Sequence, residues 1–347
     1  MGVWYANRWD VSTALDIKAT ARNQSQVDRA IEAASRAVDG MMHRVFYPTI
    51  TTRYFPWPDQ QMGRSFRLWL DSNEVISIDT LTSAGITIPP ADYFLEPNEF
   101  GPPFNRVEID LSGSASFGGG NTHQRNIGIT GLFGYSDESD PAGLTAEALD
   151  ASETGIDTTN GSLIQPGDVI KVDSERMIVT DKAMLSSGTT LSVGLLERNS
   201  NTTVAVASAA GFNTYEVILI DSERMLIIDI TGNNLTVIRA WDGSTLAAHT
   251  AGATLFVLRL LTVSRAALGT TAATHLTTAP ITKMVVPSLI KELTIAEALN
   301  FLQQETSAYA RSVGSGDNER EMSGAGLKSI RDLAKAQHAR KMRVRTV

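Results

Sequence analysis

Over residues 25–46 the apolar side chains fall at Val27, Ala30, Ile31, Ala34, Ala37, Val38, Met41, Met42 and Val45. That three-four spacing is the mark of a helix burying one face. Ser25 is the expected N-cap, with Asp28 placed to return the bond, and Tyr47-Pro48 is the expected end, since proline disfavours helix in the residue before it. A shorter helix is predicted around Val11 to Ala21. After Thr51 the period changes. Segments 53–58, 67–70, 75–79, 86–88, 93–95, 106–111 and 126–130 read as short strands separated by turn formers, which predicts an antiparallel sheet. The prolines of the first confine it to an edge. Residues 112–124, with Gly118-Gly119-Gly120, read as an exposed loop, and the acidic stretch 136–160 as a linker. Towards the C-terminus Ile295, Ala298, Leu299, Leu302, Thr306, Tyr309 and Val313 trace another helical face, stopped by Gly314-Ser315-Gly316. A last helix is expected from about Leu327 toward Arg340.

Between these parts the apolar pattern repeats. Residues 169–181 return at 217–229 with eight of thirteen positions identical, and residues 235–249 return at 261–275 with nine of fifteen identical. The offsets are 48 and 26, whereas a tandem duplication gives one offset. Nesting accounts for both: one β module runs unbroken from about 212 to 258, inside a second split into about 161–184 and 261–286. The predicted fold class is α+β, a helical core with a small antiparallel sheet plus an inserted all-β domain of two nested, duplicated modules. The core is assigned to 1–140, the insert to 141–280, and the closing helices with a basic tail to 281–347. The insert is expected to project outward, because insertions are tolerated best at surface loops.

Composition narrows the chemistry. A chain of 347 residues has room for two or three domains, and 42% hydrophobic with 20% charged residues marks it as globular. With no cysteine, disulfides, thiolate zinc sites and cysteine nucleophiles are excluded, and a cytoplasmic setting is suited. No secretory leader or membrane span is read, since the most apolar run, 255–263, is short and interrupted by Arg259. The net charge of −8 is unevenly spread. Lys328, Arg331, Lys335, Arg340, Lys341, Arg343 and Arg345 face only Asp332, which makes the last 21 residues about +6 and leaves about −14 elsewhere. Such segregation marks a tail that meets an acidic partner, nucleic acid or protein. Cations near a helix C-terminus also suit its dipole. On the predicted last helix Lys328, Arg331, Lys335 and His338 share one stripe.

Few residues suggest chemistry. Asp173-Ser174-Glu175 and its copy Asp221-Ser222-Glu223 each sit between two alternating apolar runs, where a hairpin needs turn formers, so the carboxylates are read as exposed and unperturbed. His249 and His275 occupy the same place in the two copies. One such histidine per module is too few ligands for zinc, and each is expected to bond its module's own backbone. Trp4, Tyr5, Trp9, Tyr54, Trp57 and Trp69 lack the interleaved lysines of a single-strand stacking platform and read as core and subunit contacts. The glycine run lacks the Lys-Ser/Thr of a phosphate loop. No catalytic set, metal site or cofactor site is read, and the chain is expected not to be an enzyme.

The outer segments carry a resemblance. Ala33-Ala-Ser-Arg-Ala-Val-Asp39 closes on Arg44-Val-Phe-Tyr-Pro48, followed by Asp92-Tyr-Phe-Leu-Glu-Pro97, Asn105-Arg-Val-Glu-Ile109, Gly131-Leu-Phe-Gly-Tyr135 and Val286-Pro-Ser-Leu-Ile-Lys291. In this order the chain resembles the head-to-tail connector (adaptor) proteins of long-tailed bacteriophages, over about 20–140 and 280–340, and departs from them by the insert. The inserted modules resemble small β units that recur in phage structural proteins. The resemblance implies a homo-oligomeric ring, of about twelve copies, in the neck of the virion. That ring would dock on the portal protein, face a tail-side neck or tail-terminator protein, and pass viral DNA through its lumen without sequence-specific binding or membrane contact. Carried to this sequence, it gives Lys328, Arg331, Lys335, Arg340, Lys341, Arg343 and Arg345 the portal-gripping role. The alternative is a binding or decoration protein whose β modules attach to a capsid or tail partner or to a host-surface glycan, with Trp241 as a stacking side chain.

Overall fold

A capping box sets the first helix. In the computed structural model, which describes residues 2–15, 21–58, 64–306, 312–313, 320–321 and 325–340, Asn7 Oδ1 accepts from the Asp10 N–H and the Asp10 carboxylate accepts from the Asn7 N–H. The two bonds satisfy donors that open α1 (Arg8–Ala14). α2 (Ala21–Met42) begins ahead of Ser25 and ends where His43 turns left-handed (φ 54°), before Pro48 is reached. Asp28, expected to serve its cap, instead holds Arg8. The apolar face Val27, Ile31, Ala34, Val38 and Met42 is buried, packed on α3 (Ser288–Thr306), and α4 (Ala325–His338) lies across α3. Tyr309 and Gly314-Ser315-Gly316 lie outside the described residues. Val313 falls in a short strand, Ser312–Val313, paired with Arg320–Glu321.

The chain is mostly β, with 37% strand against 21% helix, and four helices among the described residues. The expectation of a helical core carrying a small sheet is therefore overturned. Two things tip the balance. The body holds two sheets where one was predicted: Thr49–Phe55, Ile127–Phe133, Val75–Ser83 and Ile86–Ile88 form one, and Arg67–Trp69, Arg106–Ile109 and Tyr93–Glu96 the other. They close on a shared core that includes Phe55, Leu70, Val75, Val107, Ile129 and Phe133. The inserted strands, in turn, fuse edge to edge into a single ten-stranded antiparallel sheet. The glycine-run loop is tied down rather than free-standing: Ser83 Oγ bonds Gly118, and Asn126 Nδ2 donates to the Gly119 carbonyl.

The repeat has a structural counterpart that extends to the register. Val169–Val172 pairs with Glu175–Thr190 with Val169 opposite Ile178, and Val217–Ile220 pairs with Glu223–Thr231 with Val217 opposite Leu226. On the other side of each hairpin, Ile178↔Ser264, Val179↔Val263 and Asp181↔Thr262 match Leu226↔Ile238, Ile227↔Val237 and Asp229↔Thr236, each with a register shift before the third pair. The inner copy then closes through the exposed Gly232 and Asn233. The outer copy does not close there. Its two strands run on as Glu175–Thr190 and Thr254–Ala267 and open into the whole inner module, which therefore occupies the hairpin tip of the outer one. Loop-closure entropy rises slowly with length, so a hairpin tip is the least costly place for such an insertion. Each module keeps its own core, around Ile170, Met177 and Val263 in the outer and Ile218, Met225 and Val237 in the inner.

The stretch 136–160, read as linker, supplies two strands of the sheet, Ser139–Leu144 and Gly155–Asp157. The first pairs with Pro280–Met284, so the insert's entry and exit strands lie side by side. The outer module does not project freely. Val3 packs with Val169 and Ile178, Asn7 Nδ2 donates to Asp168 (3.1 Å), the Arg8 N–H to the Pro166 carbonyl (3.0 Å), and the Ile50 N–H to the Leu268 carbonyl (2.9 Å).

Candidate functional site

Each module contains one buried ionic network, and the two are copies. Asp173 (φ 51°) and Asp221 (φ 53°) take the left-handed position of the hairpin turn, a conformation that aspartate tolerates. Glu175 and Glu223, two residues on, point inward and are fully buried, against the expectation of exposed turn carboxylates. Glu223 accepts two bonds from Arg239 (2.7 and 2.8 Å), and one each from the Ala240 N–H (2.9 Å) and the Ala247 N–H (3.0 Å). Glu175 accepts the same four from Arg265 (2.8 and 2.7 Å), Ala266 (2.9 Å) and Ala273 (3.0 Å). The histidines bond carboxylates rather than backbone: His249 Nδ1 lies 2.7 Å from Asp221 and Nε2 2.9 Å from Glu223, and His275 repeats this at 2.8 and 3.0 Å with Asp173 and Glu175.

Burial alone would raise the glutamate pKa values, but the Arg, backbone and His donors outweigh it and hold both near about 2, against an ordinary 4.5. Such depressed carboxylates contribute stability that is fully present above the unfolded value and is lost as pH falls toward the folded one, on the order of 3 kcal/mol per site. Urea unfolding at stepped pH is expected to show the module midpoints dropping between about 4.5 and about 2. A flat profile over that range would remove these carboxylates as the acid-labile anchors. With five donor contacts on each, neither glutamate has a lone pair left for a substrate, and the arrangement is a structural anchor.

A second polar cluster joins the two modules. Glu216 is buried and accepts from Arg259 (2.6 and 2.5 Å) and from the Gly161 N–H (2.8 Å). Lys182 donates to the Gly161 and Ile164 carbonyls (2.5 and 2.8 Å), and burial lowers its pKa to about 8.

The basic stripe divides. Arg331 is bidentate to Glu297 of α3 (2.5 and 2.7 Å), whose carboxylate is buried. His338 meets Tyr135 Oη at 3.3 Å. Lys328 and Lys335 are exposed, and the Arg340 N–H donates to the Met42 carbonyl (3.0 Å). Lys341, Arg343 and Arg345 lie outside the described residues. The structure therefore brings Lys328 and Lys335 to one outward face and gives Arg331 a partner within the chain.

The aromatic residues are dispersed. Trp4 and Tyr5 are buried in the helical layer, where Tyr5 Oη donates to Asp39 and accepts from the Phe46 N–H. Trp57 joins the core of the body sheets, and the Arg106 guanidinium lies over Trp69 (5.3 Å). Trp4 also abuts Gly167 of the outer module, and Trp9 faces the inner one, with its ring 6.0 Å from that of Trp241. Between α1 and the inner module the two rings border a cleft of about 350 Å³. No helix among the described residues is long and apolar enough to cross a membrane. No described protein family, curated protein or solved structure matches this chain.

Proposed function

We propose that this chain is a structural virion protein of the connector type. It forms a ring that docks on a portal protein, joins the DNA-filled head to the tail-side neck or terminator protein, and lets DNA pass through its channel. The observation that carries the reading is the way the resemblance segments close on one another. Phe46 and Tyr47, Tyr135, and Val286 with Ile290 come from three distant stretches and share one core with Ala334 of α4. Arg44 lies over the Tyr135 ring (5.0 Å) and bonds Glu74 (2.8 Å). The insert leaves and re-enters this body through paired neighbouring strands, so a connector-like body can carry it without being rebuilt. The charge of about −14 on the chain outside its last 21 residues also suits a channel through which DNA slides, since retention follows phosphate neutralisation.

Lys328 and Lys335, with the cations that follow them, are the proposed contact with an acidic portal groove. Ala334 is buried, so removing α4 would open the core. Charge reversal at the two exposed lysines spares it. Electron microscopy of the protein mixed with its phage's purified portal is expected to show a ring of density added to one end. Lys328→Glu with Lys335→Glu is expected to weaken that association about tenfold or more and to reduce its salt dependence. Unchanged docking by the double variant removes the stripe from the interface. Failure of the unmodified chain to bind at low salt removes the connector reading.

A further inference from the structure

We propose that the cleft between α1 and the inner module is a saccharide-binding site, with Trp241 as its stacking platform. The nested duplication supplies an internal control for what the module fold requires. Trp241 and Asp242 stand where the outer copy has Ala267 and Leu268, and the loop conformation is the same in both: Ala240 and Asp242 are left-handed (φ 52° and 55°), as are Ala266 and Leu268 (φ 54° and 57°). The strained turn therefore belongs to the module and not to a ligand. The side chains differ in purpose. In the outer copy Ala267 and Leu268 pack on a cluster that includes Val3 of the body, with Val169 and Ile178. In the inner copy Trp241 takes no part in the module's core; its ring packs against that of Trp9 (6.0 Å between centroids, tilted by 34°), and both rings line the cleft. The outer copy folds with alanine at this place, so the module's own core does not require the tryptophan.

The surroundings select the ligand. The floor is apolar, with Val217, Leu258 and Ile238, the last 43% exposed, and Trp9 is 40% exposed. Each guanidinium at the cleft already has a carboxylate: Arg8 has Asp28 (2.7 Å) and Asp181 (3.3 Å), Arg224 has Asp242 (2.9 Å), and Arg239 has Glu223 (2.7 Å). Lys182 also lines the cleft, but its buried ammonium is turned to the Gly161 and Ile164 carbonyls. A phosphate-bearing ligand, which gains affinity from uncompensated cations, therefore finds none directed at it. A purely apolar side chain would desolvate the ion pairs without replacing their bonds to water. A neutral polyhydroxyl ligand meets both demands. Its hydroxyls donate to Asp181, which is 66% exposed, and accept from the outward edge of Arg224, while its C–H face lies on the Trp241 ring. A volume of about 350 Å³ falls at the small end of ligand clefts, the size of one or two sugar rings.

The test is an array of mono- to hexasaccharides probed with the full chain and with Trp241→Ala. The unmodified chain is expected to retain a defined subset of glycans, confirmed by a shift of tryptophan emission on titration with the best of them. Trp241→Ala is expected to lose about tenfold or more in affinity, the scale of one ring-stacking contact, with its melting temperature within about 2 °C of the parent. Trp9→Ala removes the ring packed beside Trp241 and serves as the readout if Trp241→Ala fails to melt cooperatively. An array with no signal above background overturns the proposal, and so does binding that both variants leave unchanged. Either result leaves the portal reading untouched, since the exposed lysines of α4 do not line this cleft.

Discussion

Glu223→Ala is expected to cost about 3–5 kcal/mol of stability, the scale found when one partner of a buried ion pair is removed. The loss is more than that of one bond, because Arg239 and His249 are both buried and would be left facing a void. Two backbone N–H groups, of Ala240 and Ala247, would lose their acceptor as well. Glu175→Ala is expected to have the same effect through Arg265, His275, Ala266 and Ala273. The companion aspartates supply the contrast. Asp221 contacts only the outer side of the His249 ring and is 64% exposed, so Asp221→Asn is expected to change stability by about 1 kcal/mol or less. Denaturant unfolding of the three single variants separates the two classes. Equal losses for Glu223→Ala and Asp221→Asn would mean that the buried carboxylate does not anchor the loop.

The second large effect is expected at the seam between body and insert. Gly269 is left-handed (φ 80°), and a Cβ there would overlap the Ile50 carbonyl oxygen, one residue-width from the bond between the Ile50 N–H and Leu268. Gly269→Ala meets two penalties. The left-handed backbone costs a non-glycine residue about 1 kcal/mol, and the clash is with main chain, which cannot rotate away. The outer module would have to withdraw from the edge strand Thr49–Phe55, exposing Val3, Val169 and Ile178. A loss of about 2–4 kcal/mol is expected, with proteolytic cleavage appearing near the body–insert seam in limited digestion. A melting temperature within about 2 °C of the parent would show that the seam tolerates the shift.

The nesting was legible because apolar alternation and turn residues survive duplication, and two offsets cannot come from a single copying event. The strands of the body were likewise marked by β-branched runs between turn formers, to within a few residues in most cases. The helix boundaries were not. Ser25 carries the composition of a cap, yet helix begins at Ala21 and Asp28 is recruited by Arg8 from another element, which no local pattern records. The balance of strand to helix was misjudged for the same reason: edge-to-edge fusion of strands from separate modules is a tertiary event. The buried networks were misread although a signal was present. Glu, Arg and His are identical at matching positions of the two repeated stretches while the apolar positions around them drift among Val, Ile and Leu. A solvated turn would not hold three polar identities so firmly; a saturated internal cluster would. The division of the basic stripe turned on Glu297, a buried carboxylate of α3 that takes Arg331 as its partner.

The two copies differ most at the hairpin tip, where one closes through Gly232 and Asn233 and the other holds an entire module. The tip of the inner copy has the same strand register as the tip that was filled, it is exposed, and nothing crowds Gly232. The architecture is therefore recursive. A third unit spliced between Gly232 and Asn233 would meet strand ends already spaced to receive it, and the chain could lengthen outward by whole modules while the helical layer and its seam stayed as they are.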